Sequence, residues 1–190
     1  MTKTLIAFFS RADENYFGGA MRYVKVGNTE IVAEIMKELT GADTFKIEMK
    51  DPYSPVYMTC INEAKKDLKE NARPELTSYI DSIDGYDTVV LGYPNYWGTI
   101  PMAVATFLER YDFTGKTVLP FCTNEGSGMG SSERDVKKYA KGADVKKGLS
   151  ITGSRAAESK DEVKKWLFVC GKVGTGFTSV KDGCYEIPVV

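Results

Sequence analysis

The chain contains no histidine. Imidazole is the side chain that most readily moves protons or binds metals near neutral pH, so serine–histidine pairs, cysteine–histidine pairs and imidazole metal sites are all excluded. Of its four cysteines, Cys60, Cys122, Cys170 and Cys184, no two form a Cys-x-x-Cys pair. Four reduced thiols in a reducing compartment are therefore expected. An excess of one charge is missing as well: 25 Lys plus Arg stand against 26 Asp plus Glu, a net charge of −1. A nucleic-acid groove announces itself by a basic excess, so no nucleic-acid partner is expected. No apolar run approaches the roughly 20 residues that span a bilayer. The short apolar stretch in "MTKTLIAFFS" is not followed by a small-residue cleavage site, which leaves a cytoplasmic protein without membrane contact as the expectation.

What is present is an ordinary globular balance, 43% hydrophobic and 27% charged over 190 residues. That length suits one domain and a core that needs no disulfide or metal to hold it. The short apolar runs "TLIAFF" (4–9) and "DTVVLGY" (87–93) lack polar alternation, as expected for strands covered on both faces. "DTFKIE" (43–48), "KTVLPFC" (116–122) and "VKKGLSI" (145–151) predict further strands. Between them, Ile31, Val32, Ile35, Met36 and Leu39 recur at helical spacing, as do Val104, Phe107, Leu108 and Tyr111, and later Val163, Trp166, Leu167 and Cys170. Helical stretches are also expected from about Ile61 to Asn71 and around Val136 to Tyr139. Strand–helix alternation of this kind predicts an α/β domain with a parallel sheet and helices on both faces. Residues 169–190 fall outside the alternation as a C-terminal extension, and the sequence does not say whether Cys170 and Cys184 meet there.

In an open parallel sheet, ligands bind outside the carboxyl ends of the strands, so the loops after the first, third and fourth strands matter most. After the first, Ser10 and, beyond a long interruption, Gly27, Asn28 and Thr29 precede a helix. These are good capping residues, and they equally suit a phosphate held by helix-terminal N–H groups and hydroxyls. After the third comes "YPNYWGTIP" (93–101), either a packed turn or a flat aromatic platform for a planar ligand. After the fourth, "CTNEGSGMG" is either a flexible loop or a set of backbone groups for the edge of a heterocycle. No G-x-x-x-x-G-K-[ST] or G-x-G-x-x-G is present, which disfavours nucleoside triphosphates and dinucleotides. Together the three loops suggest a mononucleotide with a large planar ring.

On "FFSR…GNTEIVA", "YPNYWGTIP…FLERYDFTGK" and "PFCTNEGSGMGSSERD" the chain resembles the flavodoxin-like family, over roughly residues 3–168. The resemblance implies an open five-stranded parallel sheet in the order 2-1-3-4-5, with helices on both faces. It also implies FMN as cofactor. Carried onto this sequence, Ser10, Gly27, Asn28 and Thr29 match the phosphate loop. Pro94, Asn95, Tyr96, Trp97 and Gly98 match the loop whose aromatic flanks the isoalloxazine, Trp97 being the first choice and Tyr96 the second. Thr123, Asn124, Glu125, Gly126, Ser127 and Gly128 match the loop along the pyrimidine side. The departure is the insert "RADENYFGGAMRYVKV" (11–26), where flavodoxins typically need only a few uncharged residues. It brings Arg11 near the phosphate loop, either to contact the FMN phosphate or to face solvent or pair with Asp13 or Glu14. The implied activity is electron transfer between a donor and an acceptor protein, by a monomer or homodimer. An FMN-dependent NAD(P)H reductase of quinones or other small acceptors is the alternative.

Overall fold

The computed structural model describes residues 3–173. In chain order these form β1 (Thr4–Phe8), β2 (Asp13–Phe17), β3 (Ala20–Val24), α1 (Asn28–Thr40), β4 (Asp43–Lys46), α2 (Tyr57–Glu70) and β5 (Thr88–Pro94). Then follow α3 (Met102–Arg110), β6 (Thr117–Asn124), α4 (Ser132–Tyr139), β7 (Asp144–Val145), β8 (Leu149–Thr152), a 3₁₀ turn (Gly153–Glu158) and α5 (Lys160–Val169). The main sheet is parallel in the order β4-β1-β5-β6-β7, with β8 also paired to β6. Counting β7 and β8 as one interrupted strand, this is the order 2-1-3-4-5.

The strands have no polar alternation because both faces of the sheet are covered. Leu5, Ala7, Val89, Leu91 and Tyr93 point into one apolar cluster together with Phe107 and Leu108 of α3 and Val136 of α4. Ile6, Phe8, Val90, Leu119 and Phe121 point into the other, closed by Val32, Ala33 and Met36 of α1 and by Val163 and Leu167 of α5. Phe107 stacks on Phe45 with ring centroids 5.7 Å apart. Fully burying a side chain of this size contributes about 1.5–3 kcal/mol. At the end of α1, Gly41 takes a left-handed conformation (φ 66°) and its N–H closes on the Lys37 carbonyl, a helix stop that a side chain at this position would resist.

The fifth strand differs from the expected continuous run over 145–151: it is broken at Lys146, Lys147 and Gly148. The cause lies in β6. Its even-numbered residues turn their backbone groups toward the fifth strand, since Asp144 N–H donates to the Lys116 carbonyl and Lys146 N–H to the Val118 carbonyl. The next even position is Pro120, which has no N–H to offer, and the ladder lapses there. A further difference is that α2 begins at Tyr57, ahead of the expected Ile61. The 11–26 insert carries an antiparallel hairpin, β2–β3, that stays apart from the main sheet. Cys184 and most of the C-terminal extension lie outside the described residues.

Among the described residues no helix is long and apolar enough to cross a membrane, and no group of acidic or cysteine side chains is arranged to hold a metal ion. Cys60 and Cys122 are buried free thiols. Burial pushes the Cys122 thiol up to about 12 and raises that of Cys60 despite the nearby charge of Arg11. Both should therefore stay unmodified by iodoacetamide at pH 8 in the folded protein and react once it is unfolded. Peptide mapping before and after denaturation checks this, and ready labelling of either thiol in the native protein would contradict the packing described.

Candidate functional site

The strand order reverses at β1, whose neighbours β4 and β5 lie on opposite sides. At the carboxyl edge of this switch point the structure opens a cleft of about 340 Å³. Ligand sites of doubly wound sheets occur at such a point.

One corner is built on the start of α1. Ser10 leaves β1 and its Oγ accepts from the Glu30 N–H at 3.1 Å, while the Gly27 carbonyl accepts from Ile31 N–H. The first N–H groups of a helix have no partner within it, and among the described residues those of Asn28 and Thr29 have none elsewhere; both residues line the cleft. The Thr29 hydroxyl is buried and shares a 2.8 Å hydrogen bond with the Thr123 hydroxyl, tying this corner to the end of β6. Gly27 takes φ −71° and ψ 152°, open to any residue, but a Cβ there would run into Ser10 Oγ and the Arg11 carbonyl. Its glycine is required by close approach of two chain segments.

The second wall is the turn after β5. Tyr96 and Thr99 exchange two backbone hydrogen bonds, with Trp97 (φ 55°) and Gly98 (φ 80°) both left-handed between them. Two-residue turns of this type suit Gly and Asn, so a tryptophan in the first central position is strained. The turn sends its two aromatics apart. Tyr96 packs edge-on to Phe9 with centroids 6.2 Å apart, and burial raises its hydroxyl well above the ordinary tyrosine value. Trp97 stays 46% exposed at the rim, its Nε1 donating to the Ile61 carbonyl at 2.8 Å and one face covered by the Lys65 ammonium. Asn95 braces the turn: its Oδ1 accepts from Gly98 N–H and its Nδ2 donates to the Gly128 carbonyl, both at 2.8 Å. The Gly98 carbonyl is held in turn by the N–H and hydroxyl of Ser131.

The third side is the glycine-rich loop. Asn124 Oδ1 accepts from the N–H groups of Gly126 and Gly128, each at 2.9 Å, shaping the loop as an Asx turn. Glu125 reaches outward. Its carboxylate accepts from Ser154 N–H (2.6 Å), the Ser154 hydroxyl (2.9 Å) and Gly18 N–H (3.2 Å) at the hairpin tip. Glu125 thus stitches the insert to the far end of the cleft.

Of the residues singled out from the sequence, Ser10, Arg11, Asn28, Thr29, Pro94, Asn95, Tyr96, Trp97, Thr123, Asn124, Glu125 and Ser127 line this one cleft. The glycines Gly27, Gly98, Gly126 and Gly128 shape the backbone behind it. Arg11 is placed differently from the solvent-facing or acid-paired alternatives: it donates to the carbonyls of Glu14, Ser54 and Pro55. Tyr16 from the insert, Tyr57, Ile61 and Ala64 from α2, and Gly153 after β8 also line the cleft. Sequence reasoning missed them. Tyr57, Ile61 and Ala64 stand at i, i+4 and i+7, a face that becomes legible once the helix is started at Tyr57. Gly153 follows from applying the carboxyl-edge rule to the fifth strand.

A doubly wound sheet with a helix N-terminus, an aromatic turn and a glycine-rich loop converging on its switch point defines a class of nucleotide-binding α/β proteins. Within it the chain belongs to the flavodoxin family, whose sequence profile matches residues 20–169. No curated protein matches it. Among solved structures it is similar to a Bacteroides eggerthii protein assigned as a flavoprotein, with 27% identity and a TM-score of 0.73 over 90% of this chain and 99% of the other. A Bacteroides uniformis protein of the same assignment shares 26% identity at a TM-score of 0.69, covering 88% and 98%. A Lactobacillus acidophilus flavoprotein, solved in complex with FMN, has the same fold at 20% identity and a TM-score of 0.59, covering 83% and 98%.

Proposed function

We propose that the chain is an FMN-binding redox protein of the flavodoxin type that passes electrons between a donor and an acceptor protein. The observation that carries this reading is the meeting of three kinds of surface in one cleft. The free N–H groups of Asn28 and Thr29, with the Ser10 and Thr29 hydroxyls, suit a phosphate. The exposed indole of Trp97 suits a planar ring. Backbone groups of the loop from Thr123 to Ser127, fixed by Asn124, suit the hydrogen-bonding edge of a heterocycle. Together these residues fit FMN, which supplies the one- and two-electron chemistry when bound.

The cleft's own residues bind and orient, and they offer little for proton transfer. The Glu125 carboxylate is committed to Gly18 and Ser154. Burial raises the hydroxyls of Tyr57 and Tyr96 away from neutrality. Electron transfer needs no side-chain acid or base, and a half-exposed Trp97 at the rim suits a ring edge that a partner protein must approach. The reductase alternative draws on one observation, the wall of Tyr16, Tyr57, Ile61 and Ala64, which gives a small acceptor an apolar surface beside the ring.

Purified protein reconstituted with FMN should become yellow and quench the flavin's fluorescence; failure to bind FMN sinks both readings. Rapid NAD(P)H oxidation with a quinone and no partner protein would decide for the reductase. Trp97→Ala should weaken FMN binding about tenfold, the worth of a good aromatic contact. It should shift the melting temperature by only about 2–4 °C, because the lost hydrogen bond lies at the surface. Unchanged affinity in that variant would remove Trp97 from the ring wall.

A further inference from the structure

Of the large apolar side chains left exposed among the described residues, all but Tyr79, Phe168 and Val169 gather around the mouth of the cleft. Tyr16, Met21, Tyr23 and Val26 belong to the insert, Val56 and Met58 to the start of α2, and Trp97 to the turn after β5. Of these only Tyr16 and Trp97 also line the cleft. Hydrogen bonds join the three segments into one rim. Glu14 N–H donates to the Pro55 carbonyl and the Glu14 carboxylate accepts from Tyr57 N–H, which fastens the hairpin to α2. Trp97 Nε1 donates to the Ile61 carbonyl, on the turn of α2 after Met58. Within the hairpin, Tyr16 pairs with Met21 and Glu14 with Tyr23. Residues opposed across two strands share a face, so Tyr16, Met21 and Tyr23 stand on the face from which Glu14 reaches α2.

Tyr23 is 72% exposed. An apolar group left in water contributes nothing to folding, and a contiguous patch of such groups marks a surface that another protein covers. The residue types agree, since Tyr, Trp, Met and Arg are those enriched where proteins meet. The charge of the rim then narrows the occupant. Within residues 11–26, 56–65 and 94–98 the exposed charges are all positive: Arg22, Lys25 and Lys65. None of the three forms an ion pair among the described residues. The acids of the same segments, Asp13, Glu14 and Glu63, are half-buried and accept from the Tyr23 hydroxyl, Tyr57 N–H and Ser54 N–H. An isologous contact between two copies would set these cations against their own like charges, which disfavours self-association through the rim. Carboxylates on a different protein would satisfy them.

We propose that this rim is where a redox partner protein docks, and that the partner's matching patch is apolar at its centre and acidic at its border. That the contact passes electrons rests on the FMN reading. The contact itself does not.

A plant-type 2Fe–2S ferredoxin, an acidic one-electron donor, is the probe. Mixed in its reduced form with FMN-loaded protein, each ferredoxin loses one electron to the bound FMN, and the flavin absorbance follows the transfer. The rate constant should fall about tenfold between about 20 mM and about 500 mM NaCl, as it does when opposite charges steer an encounter. The whole chain carries −1, so net charge would produce no such attraction. Arg22→Glu with Lys25→Glu should slow transfer about tenfold at low salt and abolish its salt dependence. Met21→Ser with Tyr23→Ser should slow it at every salt concentration. These four residues lie outside the cleft. FMN affinity and reduction by dithionite should therefore stay within about twofold of the unaltered protein, which separates a lost contact from a misfolded chain. Carbodiimide coupling, which joins a lysine amine to a touching carboxylate, reads the contact without FMN and should link Lys25 or Lys65 to ferredoxin. A rate that rises with salt, a rate that neither double variant changes, or coupling only at lysines elsewhere overturns the rim. So does a dimer in sedimentation that Met21→Ser with Tyr23→Ser dissolves, because the occupant would then be a second copy. Protein that couples to ferredoxin through Lys25 but holds no FMN sinks the cofactor reading and leaves the rim standing.

Discussion

Gly27→Ala is expected to lower FMN affinity by roughly ten- to a hundredfold, and to destabilise the fold by about 1–3 kcal/mol, the usual range for forcing a methyl group into a packed site. Backbone freedom is not the reason, since φ −71° and ψ 152° at Gly27 are acceptable to alanine. The reason is space. The added carbon would meet Ser10 Oγ and the Arg11 carbonyl oxygen, and would lie 2.8 Å from the Arg11 carbonyl carbon. A side-chain hydroxyl can rotate aside, but the Arg11 backbone cannot yield without moving the strand exit. Any such movement draws Ser10 away from Glu30 N–H and tilts the first turn of α1, where the phosphate would be held. Fluorescence titration with FMN and a thermal melt give the two readouts. Affinity within twofold of the unaltered protein would show that the α1 corner does not hold the cofactor.

The second large effect is purely one of packing. Gly92→Ala, in the middle of β5, should lower the melting temperature by about 5–10 °C, corresponding to about 2–3 kcal/mol for a chain of this size. A Cβ at Gly92 would enter the ring of Phe121 on the adjacent strand, with Cε2 at 2.8 Å and two further ring carbons nearer still. That ring is fully buried and shares its cluster with Ile6, Val32 and Ile151, so it has no free volume to turn into. Adding Phe121→Leu should recover part of the loss, because the smaller side chain clears the new methyl group. If the double variant melts lower than the sum of its single changes, the steric account is wrong. Neither change touches the cleft, so FMN binding by folded Gly92→Ala protein should be close to normal.

The fold was legible where the physics is local and repetitive. The apolar run at 87–93 is nearly β5 as observed, Thr88–Pro94, because a strand buried on both faces has no use for polar residues. The helical spacing of Ile31 to Leu39 likewise located α1. What escaped reading depended on a neighbour. The break in the fifth strand is caused by Pro120, which lies on a different strand, and no pattern within 145–151 announces it. The hairpin in the insert carried a signal that went unread: Gly18 and Gly19 sit between two five-residue stretches, as in a two-residue turn. The candidate site followed the same division. The α1 corner, the aromatic turn and the glycine loop sit at strand ends and could be placed by rule, whereas the α2 wall needed the helix start that Pro52 and Pro55 obscure. Arg11 was found by sequence but its direction was not, since that depends on the carbonyls of Ser54 and Pro55, over forty residues on.

The crowding at Gly27 has one more consequence. The chain leaves the sheet at Arg11 and comes back at Gly27 to a point that touches its own departure. A detour that ends where it began costs the rest of the molecule almost nothing, whatever its length, because closing a longer loop adds only about 0.6 kcal/mol per doubling. Residues 12–26 are thus a side excursion whose strands do not pair with the parallel sheet; their ties run instead from Glu14 to the start of α2 and from Gly18 to Glu125. One outer rim of the cleft can be rewritten there, shortened or exchanged, while the strand order and the corner at α1 stay as they are.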